Sequence, residues 1–521
     1  MRVAWVIGLS SQGGIFFLLL VCLNCSIAAK EPAAQWTKVQ QKKELTKAMD
    51  LLEGWVNQGT ATGLGDVYWD NRDHGHSTVN LQRFPEMKKV QYAPSEAKTR
   101  GWGLQQRVLP HTTVGNSSTA HSHIKRGSQT RLAYTNPRLH DVLYRQYRGN
   151  NLYIYPEHRD HDLGNRRRSG KKYDVVENKR NGYGDLFPTN TPYLITSQGS
   201  SGSDKPFIAT VARTIGAFRP EVRAKLEQLG LLMPTVQMLL RSTQRQVKGW
   251  DDYFSGRAHP AAFDGKQLNP VAMVRAAHAM TLATIPPLVQ LEIVEEDRMV
   301  PDRDYFARPG FTEKISDTPD VIARVWRGYP MTRRMVVSAK GSIDPNERPL
   351  KFKWVVLRGD PTRVKITPFG PLESEAEIVI EYTPRRAATW NKDLWSNRVD
   401  IGVFARNGNA VSAPAFITWY TLDNEERSYD AEGRIREIDY GTGRFVDPRL
   451  GATNTWRDTY HWNGPDLQGW TRTDREGRMR EYSADGRIVS VPNGQSDGET
   501  NPKKAQSQRP KNLPGKSEPA K

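Results

Sequence analysis

The sequence predicts a multidomain α+β chain in which a mixed α/β middle region is followed by a β-sandwich and then by β-hairpins. Three observations carry this prediction. Helical periods opened by proline and closed by glycine fill much of 183–312. Short alternating strands with turn signals between them recur over 313–425. Acidic-Gly turns then punctuate 426–491. At 521 residues, the chain can supply cores for about two to four domains.

Residues 1–29 carry Arg2, an apolar stretch culminating in Ile15-Phe16-Phe17-Leu18-Leu19-Leu20-Val21, and the small residues Ser26-Ile27-Ala28-Ala29. That order predicts a signal peptide cleaved after Ala28 or Ala29. Its core, interrupted by Ser10-Ser11-Gln12-Gly13-Gly14, is too short to span a bilayer. Cys22 and Cys25 both fall inside it, and Val21 and Asn24 precede them where a lipobox wants a small residue. The chain beyond Ala29 has no cysteine. Disulfides, thiolate metal sites and cysteine nucleophiles are therefore excluded from an exported mature form.

The stretch 30–162 is polar and rich in histidine and aromatics, with a helix predicted over 42–56 on the spacing of Leu45, Met49, Leu52 and Val56. Leu152-Tyr153-Ile154-Tyr155 reads as strand, and 163–182, with Arg166-Arg167-Arg168 and Lys171-Lys172, as a basic linker or insertion. Within 183–312 a short strand is predicted over 191–196. A loop at 197–204 follows it and runs into a helix that Asp204 caps and Phe207, Ile208, Val211, Ala212 and Ile215 make amphipathic. Helices are predicted to open at Pro220, Pro234 and Asn269-Pro270, the first ending at Gly230, and a strand runs over 288–294.

In 313–425, a turn leads into a strand whose Leu350, Phe352 and Trp354 share one face, and further strands are predicted at 364–367, 376–382, 399–405 and 415–420. Ser342-Ile343-Asp344-Pro345-Asn346, Pro349-Leu350-Lys351-Phe352-Lys353-Trp354, and Val399-Asp400-Ile401-Gly402-Val403-Phe404-Ala405 with Asn407-Gly408 together resemble the PKD family of immunoglobulin-like domains over about residues 330–420. The resemblance implies an extracellular spacer or binding module and brings no catalytic residues. The sequence departs from the family after Trp354, where the glycine-aspartate turn is displaced to Gly359-Asp360.

Further on, Tyr429-Asp430-Ala431-Glu432-Gly433-Arg434-Ile435 and Ser483-Ala484-Asp485-Gly486-Arg487-Ile488 flank Arg475-Glu476-Gly477-Arg478-Met479. These pieces are similar to the YD-type hairpin units of bacterial surface proteins. As ordinary hairpins they would extend the sandwich. The whole chain also resembles multidomain exported proteins of environmental bacteria that carry PKD-like modules. From 492 to 521 it is too polar to bury a core, which predicts a disordered tail.

Two segments carry candidate chemistry. Asp73-His74-Gly75-His76 and Glu157-His158-Arg159-Asp160-His161-Asp162 combine imidazole with carboxylate, the donor set of zinc or a similar divalent metal. In extended backbone His74 and His76 share a side, as do His158, Asp160 and Asp162. Histidines solvated in a loop are the plainer account. The loop Ser197-Gln198-Gly199-Ser200-Ser201-Gly202-Ser203-Asp204 offers backbone donors for an anion, or Ser200 or Ser201 as a nucleophile with His158 or His161 as base. It matches neither Gly-x-Ser-x-Gly nor the phosphate-loop spacing. Trp326, Trp354, Trp395 and Trp419 read as core or interface, and His278 as a packing histidine.

The net charge is +18 and the pI about 9.7. Export argues against nucleic acid as the partner; the same field suits anionic polysaccharide, lipid headgroups or acidic cell-envelope material. The expectation is an exported, surface- or matrix-associated binding protein that docks on acidic polymer or glycan. The alternative is a secreted hydrolase, metal-dependent or not, whose site joins 157–162 to 197–204.

Overall fold

The computed structural model describes residues 38–64, 88–91, 105–108, 153–154, 195–196, 205–260, 263–301, 303–305, 311–384, 386–388, 391–422, 425–440 and 456–490. The segment 1–29, the basic stretch 163–182, the loop 197–204 and the tail from 492 lie outside the described residues. Within them the fold is mixed α+β.

The helices are α1 (Lys38–Asn57), α2 (Lys205–Ala217), α3 (Pro220–Gln228), α4 (Leu232–Ser242), the single turn α5 (Trp250–Tyr253) and α6 (Pro270–Ala279). The buried face of α2 is the predicted one: Phe207, Val211, Ala212 and Ile215 are all core. Helix α3 starts on Pro220 and ends in a Schellman turn. Gly230 has φ +68°, its N–H donates to the Glu227 carbonyl at 3.1 Å, and the Leu231 N–H donates to the Leu226 carbonyl at 2.7 Å. Asn269 caps α6 by accepting from the Ala272 N–H at 3.2 Å.

Two expectations shift. Helix α4 begins before Pro234, which sits in its first turn, where a missing donor leaves nothing unpaired. Helix α1 buries Ala48 and Leu52, while Val56 is exposed. Trp55 takes the packing position and stacks on His278 of α6, with ring centroids 4.0 Å apart.

Two short pairs, β1 (Lys88–Gln91) with β2 (Gln105–Val108) and β3 (Tyr153–Ile154) with β4 (Ile195–Thr196), precede three larger sheets. β3 and β4 fall on strand pieces that the sequence predicts. The next strands are β5 (Glu292–Glu296), β6 (Lys314–Thr318), β7 (Val321–Val325), β8 (Thr332–Ser338), β9 (Lys351–Arg358), β10 (Val364–Phe369) and β11 (Glu375–Glu381). They are followed by the hairpin β12 (Arg386–Ala388) and β13 (Asn391–Ser396), then β14 (Val399–Arg406) and β15 (Ala415–Tyr420). One sheet has the order β10-β11-β8-β5 and the other β6-β7-β15-β14-β9. All pairings in both are antiparallel except β7 with β15. Since β5 pairs with β8, the β-rich body begins at Glu292, ahead of the boundary at 313 that the sequence predicts.

The two sheets share one core, into which β9 sends Phe352 and Trp354, β14 Ile401 and Val403, and β11 Ile378 and Ile380. The five-stranded sheet is also covered on its other face. Val321, Ala323 and Val325 of β7, Leu357 of β9, Phe404 of β14 and Phe416 of β15 join the helices in a second core. Three layers result: helices, five-stranded sheet, four-stranded sheet. This is why β7 is buried at every position, as a strand covered on both faces must be. Contact between the helical layer and this sheet is close enough to need glycine at Gly256, where a Cβ would lie 2.6 Å from the Leu357 carbonyl oxygen. Within the sheet, a Cβ on Gly402 of β14 would lie 2.5 Å from Leu357 Cδ1 of the adjacent β9.

The C-terminal strands β16 (Glu426–Tyr429), β17 (Ile435–Asp439), β18 (Arg457–Asn463), β19 (Asp466–Thr473), β20 (Met479–Ser483) and β21 (Ile488–Ser490) extend neither of these sheets. They form an antiparallel six-stranded sheet in sequence order, with its own core of Ile435, Ile438, Tyr460, Trp470 and Tyr482. Its turns repeat a chemistry. Asp430 accepts from the backbone of Glu432 and Arg434 and from Arg434 Nε, and Asp474 accepts from Glu476, Arg478 and Arg478 Nε in the same way. Each hairpin thus closes itself with a local Asx turn and a folded-back arginine, without help from the neighbouring sheets.

The loop after β7 is clasped from two sides. Glu313 Oε1 accepts from the N–H groups of Arg327 and Gly328, each at 2.8 Å, and from Arg333. From the C-terminal sheet, Arg427 donates to the carbonyls of Gly328 at 2.7 Å, Trp326 at 3.0 Å and Arg327 at 3.3 Å. Glu425 then pairs with that guanidinium at 2.7 Å, and both side chains are buried.

Candidate functional site

The segment Gly249-Trp250-Asp251-Asp252-Tyr253-Phe254 follows α4 and places three aromatics on one short turn of helix. Tyr253 is fully buried, and its hydroxyl donates to the Ser412 carbonyl at 3.0 Å. Phe254 packs edge-on against Phe404 of β14 at 5.0 Å. These contacts fix the turn against the five-stranded sheet. Trp250 is left on the outside, 44% exposed and stacked on Phe254 with centroids 6.2 Å apart.

Strand alternation brings cations to the same place. Phe352 and Trp354 face the core of β9, so Lys351 and Lys353 face outward. Lys353 Nζ lies 4.6 Å from the centroid of Phe254. Lys351 is the cross-strand partner of Arg406 on β14. All three cations are exposed, and no carboxylate pairs with any of them among the described residues. Asp252, half-buried on the same turn, is occupied: it accepts from the Lys248 N–H at 2.8 Å and pairs with Arg257 at 2.7 Å. The result is an exposed flat indole, continued inward by Phe254 and flanked by un-neutralised positive charge.

A second group lies where α4 and the segment after α5 meet Phe404 and Phe416 of the five-stranded sheet. Arg241 of α4 is 2% exposed, donates from Nη1 to the Ala258 carbonyl at 3.2 Å, and stacks over Phe263 at 4.9 Å. Burial pushes its guanidinium down to about 9, opposed by Tyr253. Burial, with the charge of Arg241 beside it, holds His259 well below the ordinary imidazole range, against the opposing hydrogen bond to the Tyr253 carbonyl.

The predicted site residues His74, His76, His158, Asp160, His161, Asp162, Ser200 and Ser201 all lie outside the described residues. Among the described residues no group of three or more His, Cys, Asp or Glu could hold a metal ion. No helix of the described residues is long and apolar enough to cross a membrane. Trp326, Trp354 and Trp419 are buried in the core between the sheets. His278 packs on Trp55 and approaches the Ala217 carbonyl through Nδ1 at 3.2 Å. Sequence reasoning missed Trp250. The available signals were three aromatics in five residues and the alternation Lys351-Phe352-Lys353-Trp354, which burial of one face turns into a cationic outer face. No family model matches the chain, and no curated protein has a matching sequence.

Proposed function

We propose that this chain is an exported, surface- or matrix-associated binding protein that docks on acidic polysaccharide. In this reading the β-rich body is an immunoglobulin-like sandwich of PKD type that presents the binding surface. The stacked pair Trp250 and Phe254 with Lys353 over it is the observation that carries the proposal. A sugar ring offers an apolar face to indole, and a uronate or sulfate group offers a charge to the lysines. Neither alone would select an acidic glycan.

The strand order supports the sandwich. Assigning A to β5, B to β8, C to β9, D to β10, E to β11, F to β14 and G to β15 reproduces the A-B-E-D and C-F-G sheets of immunoglobulin-like domains. Two separate pieces of the PKD resemblance also meet: Asn407 Nδ2 donates to Asp344 Oδ1 at 2.6 Å. Asp344 further accepts from the Arg348 backbone at 2.8 Å, so the turn before strand C is tied to the turn after strand F. The displaced Gly359-Asp360 turn is accommodated by a longer strand C, which runs on to Arg358 before Gly359 turns at φ +107°.

Binding to polygalacturonate, measured by affinity electrophoresis or calorimetry, should weaken with added salt, as ion pairing at an exposed surface requires. Trp250→Ala should weaken it by roughly tenfold, about 1.4 kcal/mol, while leaving the melting temperature within about 2 °C, since the residue is largely outside the core. Lys353→Gln should weaken binding and flatten the salt dependence. Equal affinity of wild type and Trp250→Ala, or no binding by wild type, would sink the proposal.

A further inference from the structure

We propose that Arg241, Gln237 and His259 form an internal binding site for a small oxyanion of the phosphate class, in the seam between α4 and the five-stranded sheet. Gln237 and Arg241 are one helical turn apart on the same face of α4, and both are buried. Arg241 uses Nη1 on the Ala258 carbonyl, but its Nη2 has no hydrogen-bond partner, and neither has Gln237 Nε2. His259, the residue after Ala258, approaches the Tyr253 carbonyl through Nε2 at 2.8 Å. A carbonyl only accepts, so Nε2 carries the proton, and the neutral ring presents Nδ1 as a lone pair. Nδ1 is also enclosed and unpartnered.

No acidic side chain pairs with Arg241 among the described residues, although a guanidinium removed from water requires a counter-charge or complete hydrogen bonding. Three other arginines meet that requirement with a carboxylate. Arg333 has Glu313, Arg427 has Glu425, and Arg472 has Asp458. Arg241 departs from this pattern in a place where a second buried donor is also unused. Two N–H donors and one acceptor fit an oxyanion that retains a proton: hydrogen phosphate accepts from Arg241 and Gln237 and donates its O–H to His259 Nδ1. Sulfate carries no such proton. The depth of the site restricts it to a free small anion and excludes a polymer or headgroup, so it is separate from the surface around Trp250.

The experiment follows thermal unfolding of the mature protein against inorganic phosphate at low millimolar concentration, with sulfate at equal ionic strength as the second arm. Wild type should show a saturable rise of about 3 to 8 °C in phosphate and a smaller one in sulfate. Arg241→Met keeps the length of the side chain and removes the charge. It should melt at or above wild type without phosphate, because a buried unpaired cation is gone, and should show no phosphate-dependent rise. Gln237→Leu, read in the same assay, should cut the rise and serves if Arg241→Met does not fold. A phosphate effect that is absent in wild type, or equal in wild type and the variants, would overturn the proposal. So would a rise with sulfate matching that with phosphate, which marks an adventitious ion only.

Discussion

Glu425→Ala should lower stability by about 3–5 kcal/mol in urea unfolding at neutral pH. The substitution removes the carboxylate that pairs with Arg427, so the loss arises from the charge it leaves behind. Arg427 is enclosed and spends its other donors on the carbonyls of Trp326, Arg327 and Gly328. Those carbonyls orient the guanidinium but cannot neutralise it. Glu425, with Tyr429 and Tyr382, holds the arginine above its ordinary range against the burial that would lower it. Without the carboxylate the charge stays buried and uncompensated. The double variant Glu425→Leu/Arg427→Met should be less destabilised than the single one, because it removes both charges. A loss below about 1 kcal/mol for Glu425→Ala would mean that water reaches the arginine.

Trp354→Ala should cost about 3–5 kcal/mol as a large truncation in a core that cannot collapse around it. Its ring lies between the two sheets, among Phe352, Val403 and Ile378, and its Nε1 donates to the Glu373 carbonyl at 2.9 Å. Trp354→Phe separates the two contributions: it keeps most of the apolar contact and loses the hydrogen bond, at about 1 kcal/mol. Chemical denaturation of the three proteins under identical conditions measures both. If the alanine variant loses less than the phenylalanine variant is expected to lose, the core lies elsewhere.

Strand periodicity was legible wherever a strand faces the core on one side only. Leu350, Phe352 and Trp354 declared their face, and Pro220 and Gly230 marked the two ends of α3. The double burial of β7 was not legible, because Val321-Ile322-Ala323-Arg324-Val325 has no alternation to read. Nothing local in those residues says that helices from 205–279 will cover the outer face. The acidic-Gly turns foretold hairpins, but turn chemistry fixes only neighbours in sequence. Whether hairpins join an existing sheet or make their own depends on the far partner, and here Tyr329 and Arg427 provide a contact between separate sheets. The candidate site shows the same divide. The cationic outer face of β9 follows from Phe352 and Trp354 being inside, whereas the meeting of Lys353 with Phe254 is a tertiary event between distant segments. The histidine and serine candidates rest on sequence alone.

The parallel pairing within the five-stranded sheet bears on the order in which the molecule folds. β7 meets β15 in register from Val321 with Phe416 to Val325 with Tyr420, so the five-stranded sheet closes only when the first and last parts of its module are brought together. In the C-terminal sheet, β18, β19 and β20 pair as successive hairpins, such as Trp470 with Tyr482. Loop-closure entropy favours the local pairings and delays the long one. In pulse-labelled refolding, amides of β18 to β20 should gain protection before those of β7 and β15. Earlier protection in β7 would show that the helices template that sheet from outside. On the expected order, a chain emerging from its amino end holds β7 without its partner until β15 follows, and throughout that interval Val321 to Val325 is an open parallel edge.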